Sequence, residues 1–169
     1  MEKETVNHPD HYKKGDRIEC IELLDIITKG YEGIAAFDIG QVKYLYRAGS
    51  KFNDPKQKAK KALEDVNKFT FYIKDFMNRA LTTLRYDPEF FLKYNLELPK
   101  GFSCSESKNE CVLNAVALEF KFDKPKEIQS DFDNLIIKLS QIVNLNDVKI
   151  VLAYLENIRK YYLKMSEEN

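Results

Sequence analysis

The chain lacks several residue types and patterns that mark common protein classes. Its 169 residues include three cysteines and no tryptophan, and no stretch approaches the roughly 20 apolar residues that span a bilayer. Cys20, Cys104 and Cys111 are odd in number and loosely spaced, which argues against a disulfide framework and against a close C-x-x-C zinc site. Because the N-terminus also has no apolar signal segment, we expect a soluble, reduced, cytoplasmic protein with no membrane partner.

An excess of charge of either sign is also absent. Lys plus Arg and Asp plus Glu number 27 each, so the formal net charge is zero. A neutral chain has no overall basic field that attracts nucleic acid, and any anion site must be local. The motifs G-x-x-x-x-G-K-[ST], G-x-G-x-x-G and G-x-S-x-G do not occur, so a Walker phosphate cradle is excluded. A nucleotide enzyme with this sequence would need a helical site.

The first half of the chain predicts an extended arm followed by helices. Pro9 disfavours helix before it, so residues 1–16 are expected to form an arm across the fold. Apolar residues at helical spacing predict a first helix over residues 17–29. Asp38 is a candidate N-cap for a second helix that ends at Ala48.

The rest of the chain predicts a long helix and a hairpin. Asp54 can cap, and Pro55 can begin, a helix of near thirty residues, about 40 Å long. Such a helix must pack along much of its length, which suggests a homo-oligomer. A C-terminal helical hairpin is expected, with Asn146 or Asp147 as the cap of its second helix. The predicted fold is an all-α helical bundle with an extended N-terminal arm, one long central helix and a C-terminal helical hairpin. Its predicted parts are a helical domain over 1–84, a linker with short elements over 85–127 and the hairpin over 128–169.

Titratable groups are concentrated in the first third of the sequence, beginning with N-H-P-D-H-Y at residues 7–12. His8 and His11 flank a turn that can present both rings in one direction. An unperturbed imidazole titrates near pH ~6.5, so either ring could transfer a proton or hydrogen-bond a base or phosphate. Alternatively, each ring caps a helix or binds a carbonyl and thereby pins the arm. Asn7 and Tyr12 fit both interpretations.

A second cluster, K-Y-L-Y-R-A-G-S-K, indicates a local anion site. Lys43 and Arg47 lie one helical turn apart, so their like charges repel and an anion between them would relieve the repulsion. Gly40 beside them would let an anion approach the backbone. Arg47 could hold two phosphate oxygens, while Lys43 and Lys51 would act as point charges. Tyr44 could stack on a base. In the alternative interpretation the long side chains lie over the edge of the core.

Acidic residues on the first helix are candidates for metal binding or acid–base chemistry. Glu19 and Glu22 are three residues apart, close enough to share a cation such as Mg²⁺ or to act as base and orienter. Such pairs are also ordinary surface charge. They look like the first half of the magnesium site of all-α nucleoside triphosphate pyrophosphohydrolases similar to MazG. The second half would use Glu64 and Asp65, but Lys61 occupies the place of its first acid.

Taken together, these motifs resemble a phage-associated family, the domain of unknown function 3310, also called SaV-like. The resemblance covers about residues 6–73. It is carried by N-H-P-D-H-Y, Gly15, E-C-I-E at 19–22, G-Q-V-K-Y-L-Y-R at 40–47, Lys51 and V-N-K at 66–68. The family includes a podophage nucleoside monophosphate kinase that lacks a P-loop. The resemblance therefore implies phosphoryl transfer between nucleotides, with a nucleoside triphosphate as phosphate donor.

The leading hypothesis is a phage-type nucleotide-binding protein in the host cytoplasm, acting as a deoxynucleoside monophosphate kinase. Arg47, Lys43 and Lys51 would hold phosphates, and His8, His11 or Glu19 would orient the acceptor. Two alternatives remain open: a pyrophosphohydrolase-like enzyme, and a non-enzymatic phage protein that binds a host or defence factor or sequesters a nucleotide. The C-terminal hairpin favours the last of these.

Overall fold

The computed structural model describes residues 20–84, 89, 93–94, 96–109, 111 and 124–168. Within them the fold is all-α, as predicted, and its one isolated β-bridge pairs Glu97 with Asn144. The predicted N-terminal arm lies outside the described residues. The six helices of the described ranges are α1 (Cys20–Thr28), α2 (Gly33–Gly40), α3 (Lys43–Arg47), α4 (Pro55–Leu84), α5 (Lys126–Leu139) and α6 (Leu145–Glu167).

The long central helix is confirmed, with the predicted start. Asp54 accepts a hydrogen bond from the Gln57 amide through Oδ2, at 2.9 Å, so it caps α4, and Pro55 is the first helical residue. α4 packs most extensively against α6 and also against α3 and α2. Its apolar stripe is therefore covered within one chain, and α4 does not by itself require a second subunit. The buried residues of that stripe are Ala59, Ala62, Val66, Phe69, Ile73, Phe76 and Ala80.

The predicted second helix is wrong, because the chain forms two short helices there. α2 begins at Gly33 and contains Asp38 in its interior, so Asp38 does not cap a helix. The Asp38 side chain is fully buried. The backbone then forms a tight turn, in which the amides of Gln41 and Val42 donate hydrogen bonds to carbonyls three residues earlier. α3 starts after this turn. α3 packs against α4.

The C-terminal hairpin is confirmed, but its cap differs from the prediction. Asn144 is the N-cap of α6, and its side chain accepts a hydrogen bond from the Asp147 amide at 2.9 Å. Asp147 occupies the third helical position and accepts a reciprocal hydrogen bond from the Asn144 amide, which completes a capping box. Lys138 reaches the Asp147 carboxylate at 3.1 Å from the end of α5. The turn between α5 and α6 is therefore tied to both helices.

Two residues of the predicted linker, Cys104 and Lys108, form hydrogen bonds with other parts of the chain. The Cys104 amide donates to the Ile142 carbonyl at 2.7 Å. Lys108 donates through its ammonium group to the carbonyls of Ile27 and Ser140, both at 2.9 Å. One cation thus satisfies carbonyls near the C-terminal ends of α1 and α5. In the described ranges, no helix is both long and apolar enough to cross a membrane.

Candidate functional site

A buried ion pair lies at the centre of the candidate site. Arg47 donates from Nη2 and Nε to the same oxygen of Asp65, Oδ1, at 2.9 and 3.3 Å. The Arg47 side chain is 18% exposed and that of Asp65 is 1% exposed. The second oxygen of Asp65 is buried and has no hydrogen-bond partner within the described ranges. The pair therefore fixes α3 against α4 and orients the guanidinium.

Three cations surround the ring of Tyr44. The guanidinium carbon of Arg47 lies 4.7 Å from the ring centroid. The ammonium nitrogens of Lys43 and Lys68 lie 5.6 and 5.7 Å from the same point. Each distance is within the range of a cation–π interaction. The positive charge that the sequence places on α3 is therefore joined by a lysine from α4.

Lys68 and Lys61 also share one carboxylate. Lys68 Nζ lies 2.6 Å and Lys61 Nζ lies 2.9 Å from Oε1 of Glu64. The hydrogen bonds from Lys68 and Lys61 lower the pKa of Glu64 to about 2, so the acid is ionised at neutral pH. Two lysines of α4 are thus arranged to hold one anionic oxygen at the surface.

Tyr44 continues into an aromatic cluster on the surface. Its ring stacks on that of Tyr72, with centroids 6.3 Å apart and planes 8° from parallel. Phe37 and Phe71 meet Tyr72 edge-on, at 6.0 and 5.5 Å. Phe71 is 64% exposed and Phe37 is 58% exposed. Large aromatic rings on a surface beside cations are a common way to bind a planar, negatively charged ligand.

A shallow groove of about 400 Å³ runs along this cluster. We call it the aromatic groove. Its wall combines aromatic faces with a lysine, an amide and a carboxylate, so it offers both stacking and charge. The lining residues are Tyr44, Glu64, Asn67, Lys68, Phe71 and Tyr72.

Cys20, the first residue of α1, lies close to the cation cluster. Its thiol is buried, and burial raises its pKa to about 12, although the nearby charges of Lys43 and Arg47 oppose that shift. A thiol with such a pKa stays protonated and is a poor nucleophile. The proximity to Lys43 and Arg47 nevertheless shows that the start of α1 borders the cation cluster.

The structure brings together some of the sequence-predicted site residues. Lys43, Tyr44 and Arg47 form one cluster, as their spacing predicts. A Cβ atom on Gly40 would lie 3.7 Å from Cγ2 of Thr28, so that glycine faces α1. Lys51 is exposed in the segment between α3 and α4. The predicted residues Asn7, His8, His11, Tyr12 and Glu19 lie outside the described part of the chain.

Only part of the predicted metal site falls within the described residues. Glu22 is exposed on α1, while its predicted companion Glu19 is not among the described residues. No group of three or more His, Cys, Asp or Glu side chains within the described ranges is placed to hold a metal ion. Of the two acids considered for the second half of the site, Glu64 is bound by Lys61 and Lys68, and Asp65 is bound by Arg47.

Sequence reasoning missed the roles of several residues of the candidate site. Asp65 was considered only as a metal ligand, yet it interrupts the buried stripe of α4, since Ala62 lies three residues before it and Phe69 four residues after it. An acid in a buried stripe signals a buried partner. Phe71 and Tyr72 carry no comparable signal, because exposed aromatic residues on a long helix have no characteristic spacing.

Residues 6–74 match the family model DUF3310, which is described as a protein of unknown function. The match confirms the resemblance drawn from the motifs, and it ends within α4, so it includes the whole aromatic groove. The comparison with curated proteins and the comparison with solved structures gave no match.

Proposed function

We propose that residues 1–84 form a nucleotide-binding domain in which the aromatic groove holds the base and the surrounding lysines hold the phosphates. The observation that carries this proposal is the setting of Tyr44. Its ring stacks on Tyr72 and lies within 5.7 Å of the charged groups of three basic side chains. A nucleotide has the matching chemistry, a flat ring joined to a compact negative charge.

The base would stack on the exposed aromatic faces of the groove. Phe71 presents most of its ring to solvent, and Tyr72 lies edge-on against it. Stacking of a base on an aromatic side chain contributes on the order of 1–3 kcal/mol and tolerates every base. Asn67, which also lines the groove, has both a donor and an acceptor with which to read a base edge.

The phosphates would bind where lysines already converge. Lys68 and Lys61 hold the Glu64 carboxylate, so a phosphate oxygen that takes the place of this acid would meet two ammonium groups. Lys43 extends the positive charge along α3. Arg47 would not contact the phosphates directly. Its guanidinium lies over the Tyr44 ring and binds Asp65, and its charge would act on the phosphates at longer range.

The reaction that the family resemblance implies is transfer of a phosphoryl group from a nucleoside triphosphate to a deoxynucleoside monophosphate. Such transfer depends mainly on positioning and on charge stabilisation, so a helical site with clustered cations can support it. Mg²⁺ would accompany the donor. His8, His11 and Glu19 are the candidates for orienting the acceptor. A phage-encoded chain would act in the host cytoplasm.

Binding can be tested with paired variants of exposed residues. Phe71→Ala should weaken binding of deoxynucleoside monophosphates about tenfold, the loss expected for one stacked ring. Tyr94→Ala is the matched control, because Tyr94 is 56% exposed and also lies beside a lysine. Lys68→Ala should weaken binding in a salt-dependent way, and Lys149→Ala on α6 should not. Equal effects of each variant and its control, measured by titration calorimetry, would contradict the proposal.

Turnover separates the enzyme classes. The purified chain is incubated with a panel of deoxynucleoside monophosphates and a triphosphate donor, with and without Mg²⁺, and the products are resolved. Formation of diphosphate supports the kinase, and release of pyrophosphate from a triphosphate supports the hydrolase. Tight binding without turnover supports a protein that sequesters a nucleotide. Absence of both binding and turnover would leave the host-factor alternative and refute nucleotide binding.

A further inference from the structure

A second groove adjoins the aromatic groove, nearer to the start of α4. It measures about 430 Å³ and is lined by Phe52, Gln57, Lys60, Lys61 and Glu64. We call it the Phe52 groove. Glu64 also lines the aromatic groove, so the two grooves meet at this carboxylate. Each groove combines aromatic surface with lysine, a side-chain amide and a carboxylate, so both offer the stacking and the charge that a nucleotide needs.

The backbone of Phe52 is in a conformation that a bulky side chain disfavours. Its φ is 68°, in the left-handed region, where a residue with a large side chain is rare. Among the described residues, Phe52 is the only one other than glycine with a positive φ. Its ring is 56% exposed, so burial of the ring does not offset the strain. Strain of this kind clusters at ligand-binding sites.

Lysines on both sides of Glu64 supply the charge for a chain of phosphates. The ammonium nitrogens of Lys61 and Lys68 lie 2.9 and 2.6 Å from the same Glu64 oxygen. Lys60, which is exposed, adds a second lysine to the Phe52 groove, whereas Lys68 is the one lysine that lines the aromatic groove. The Phe52 groove is therefore the more cationic of the two, and it suits the nucleotide that carries more phosphates.

The periodicity of α4 aligns the two grooves. Gln57 and Phe71 each lie seven residues from Glu64, which is about two helical turns, so all three residues share one side of the helix. The rise of the helix separates Gln57 from Phe71 by about 20 Å along its axis. Two nucleotides that place their bases at the outer ends of this line have their phosphates between the grooves, beside Glu64.

We propose that the Phe52 groove binds the base of the nucleoside triphosphate donor, and that donor and acceptor lie end to end along α4. This assignment rests on the proposed function, because the acceptor occupies the aromatic groove. Phosphate oxygens take the place of Glu64 between Lys61 and Lys68. An acceptor phosphate oxygen bonds to the γ-phosphorus, and the bond from that phosphorus to the β–γ bridging oxygen breaks. Its electron pair leaves with the nucleoside diphosphate, and a dianionic acceptor has no proton to release.

Two kinds of probe test the two grooves separately. Adenosine 5′-(β,γ-imido)triphosphate is a donor analogue that resists transfer of its terminal phosphoryl group, and the deoxynucleoside monophosphates of the four DNA bases are the acceptor probes. Each is titrated into the full chain by calorimetry in the presence of Mg²⁺. Phe52→Gly removes the ring and supplies a residue that adopts a positive φ without strain. It should weaken binding of the analogue about tenfold, the loss expected for one stacked ring, and leave monophosphate binding unchanged.

Three further variants complete the test. Phe71→Ala should weaken monophosphate binding and leave binding of the analogue unchanged. Phe52→Tyr keeps an aromatic face and should retain the affinity for the analogue. Lys60→Ala should weaken binding of the analogue, more strongly at low salt, and Lys149→Ala, an exposed lysine on α6, should not.

The outcomes separate this proposal from the proposed function. If Phe52→Gly leaves binding of the analogue unchanged, or weakens both kinds of probe equally, the donor site is refuted. Monophosphate binding that is still sensitive to Phe71→Ala would then leave the nucleotide site of the aromatic groove intact. If the wild-type chain binds neither kind of probe, the proposed function fails and the donor site fails with it.

Discussion

Arg47 and Asp65 join α3 to the middle of α4 through a contact of 2.9 Å, in which two guanidinium N–H groups converge on one buried carboxylate oxygen. Removing the arginine leaves that charge buried without its partner. We expect Arg47→Ala to lower the free energy of unfolding by about 3 kcal/mol, the size of the loss when a buried pair is broken from one side. Urea denaturation followed by circular dichroism measures this loss.

A double variant serves as the control for Arg47→Ala. Replacing both partners with apolar residues, Arg47→Met with Asp65→Leu, should recover most of the lost stability, because no charge is left buried. Arg47→Lys should recover only part, since an ammonium group cannot place two N–H groups on one oxygen in the same way. An unchanged denaturation midpoint in Arg47→Ala would show that the pair does not hold the helices together.

This pair also shows what the sequence alone could and could not predict. The spacing of Lys43, Tyr44 and Arg47 correctly predicts that they share a surface of one helix, because i, i+3 and i+4 neighbours are local. The partner of Arg47 lies 18 residues away and depends on how α3 crosses α4. Distant contacts of this kind follow from tertiary packing, which periodicity does not specify.

Helix boundaries also fall into two kinds, those that a local pattern predicts and those that depend on tertiary packing. The start of α4 was predictable, because Asp54 and Pro55 act within one turn. The break between α2 and α3 was not, since Asp38 before an apolar run has the local pattern of a cap. In the structure Asp38 lies inside α2 and is fully buried, a place that depends on tertiary packing.

Glu64 occupies the place that we assign to a phosphate. Glu64→Gln should therefore tighten the binding of deoxynucleoside monophosphates several-fold at low salt, because it frees Lys61 and Lys68 from a competing carboxylate. Titration calorimetry at two salt concentrations measures the change. Glu156→Gln is the matched control, since Glu156 forms an i, i+3 pair with Arg159 on α6. If Glu64→Gln weakens binding, the acid is part of the ligand site and not a competitor.

Asp38 makes the stability of the protein dependent on pH. Its carboxylate is fully buried, and neither oxygen has a hydrogen-bond partner within the described ranges. Burial raises its pKa from 3.8 to about 6, with Asp75 adding to the shift and Arg79 opposing it. The folded state therefore binds a proton that the unfolded state has released, so this group destabilises the fold as pH rises from about 4 to 6.

The substitution Asp38→Asn should remove this dependence. At pH 7 the variant should be more stable than the wild type by about 3 kcal/mol, and most of this advantage should be lost by pH 4. Thermal unfolding of both proteins across this range gives the difference directly. Asp75→Asn should shift the transition of the wild-type profile to lower pH, because one of the charges that raise the Asp38 pKa is lost. A constant difference between Asp38→Asn and wild type would show that Asp38 does not titrate there.

Lys124 connects the C-terminal helices to the candidate site. It donates hydrogen bonds through its ammonium group to the carbonyls of Leu45 at 2.8 Å and Ala48 at 2.6 Å, and it lies 4.6 Å from the centroid of the Phe132 ring. These carbonyls belong to the end of α3, the helix that carries the predicted phosphate-binding residues. A cation from the segment before α5 thus satisfies carbonyls at the end of a helix from the N-terminal half of the chain.

Replacing Lys124 should therefore affect both stability and binding. Lys124→Met keeps an apolar stem against Phe132 but removes the donors, so the free energy of unfolding should fall by about 2 kcal/mol. Because the end of α3 is then held less firmly, nucleotide affinity should fall as well, although Lys124 does not line the groove. Lys126→Met, an exposed lysine two residues away, should change neither quantity. Loss of stability with unchanged affinity would mean that α3 keeps its place without this contact, and that the C-terminal hairpin does not position the candidate site.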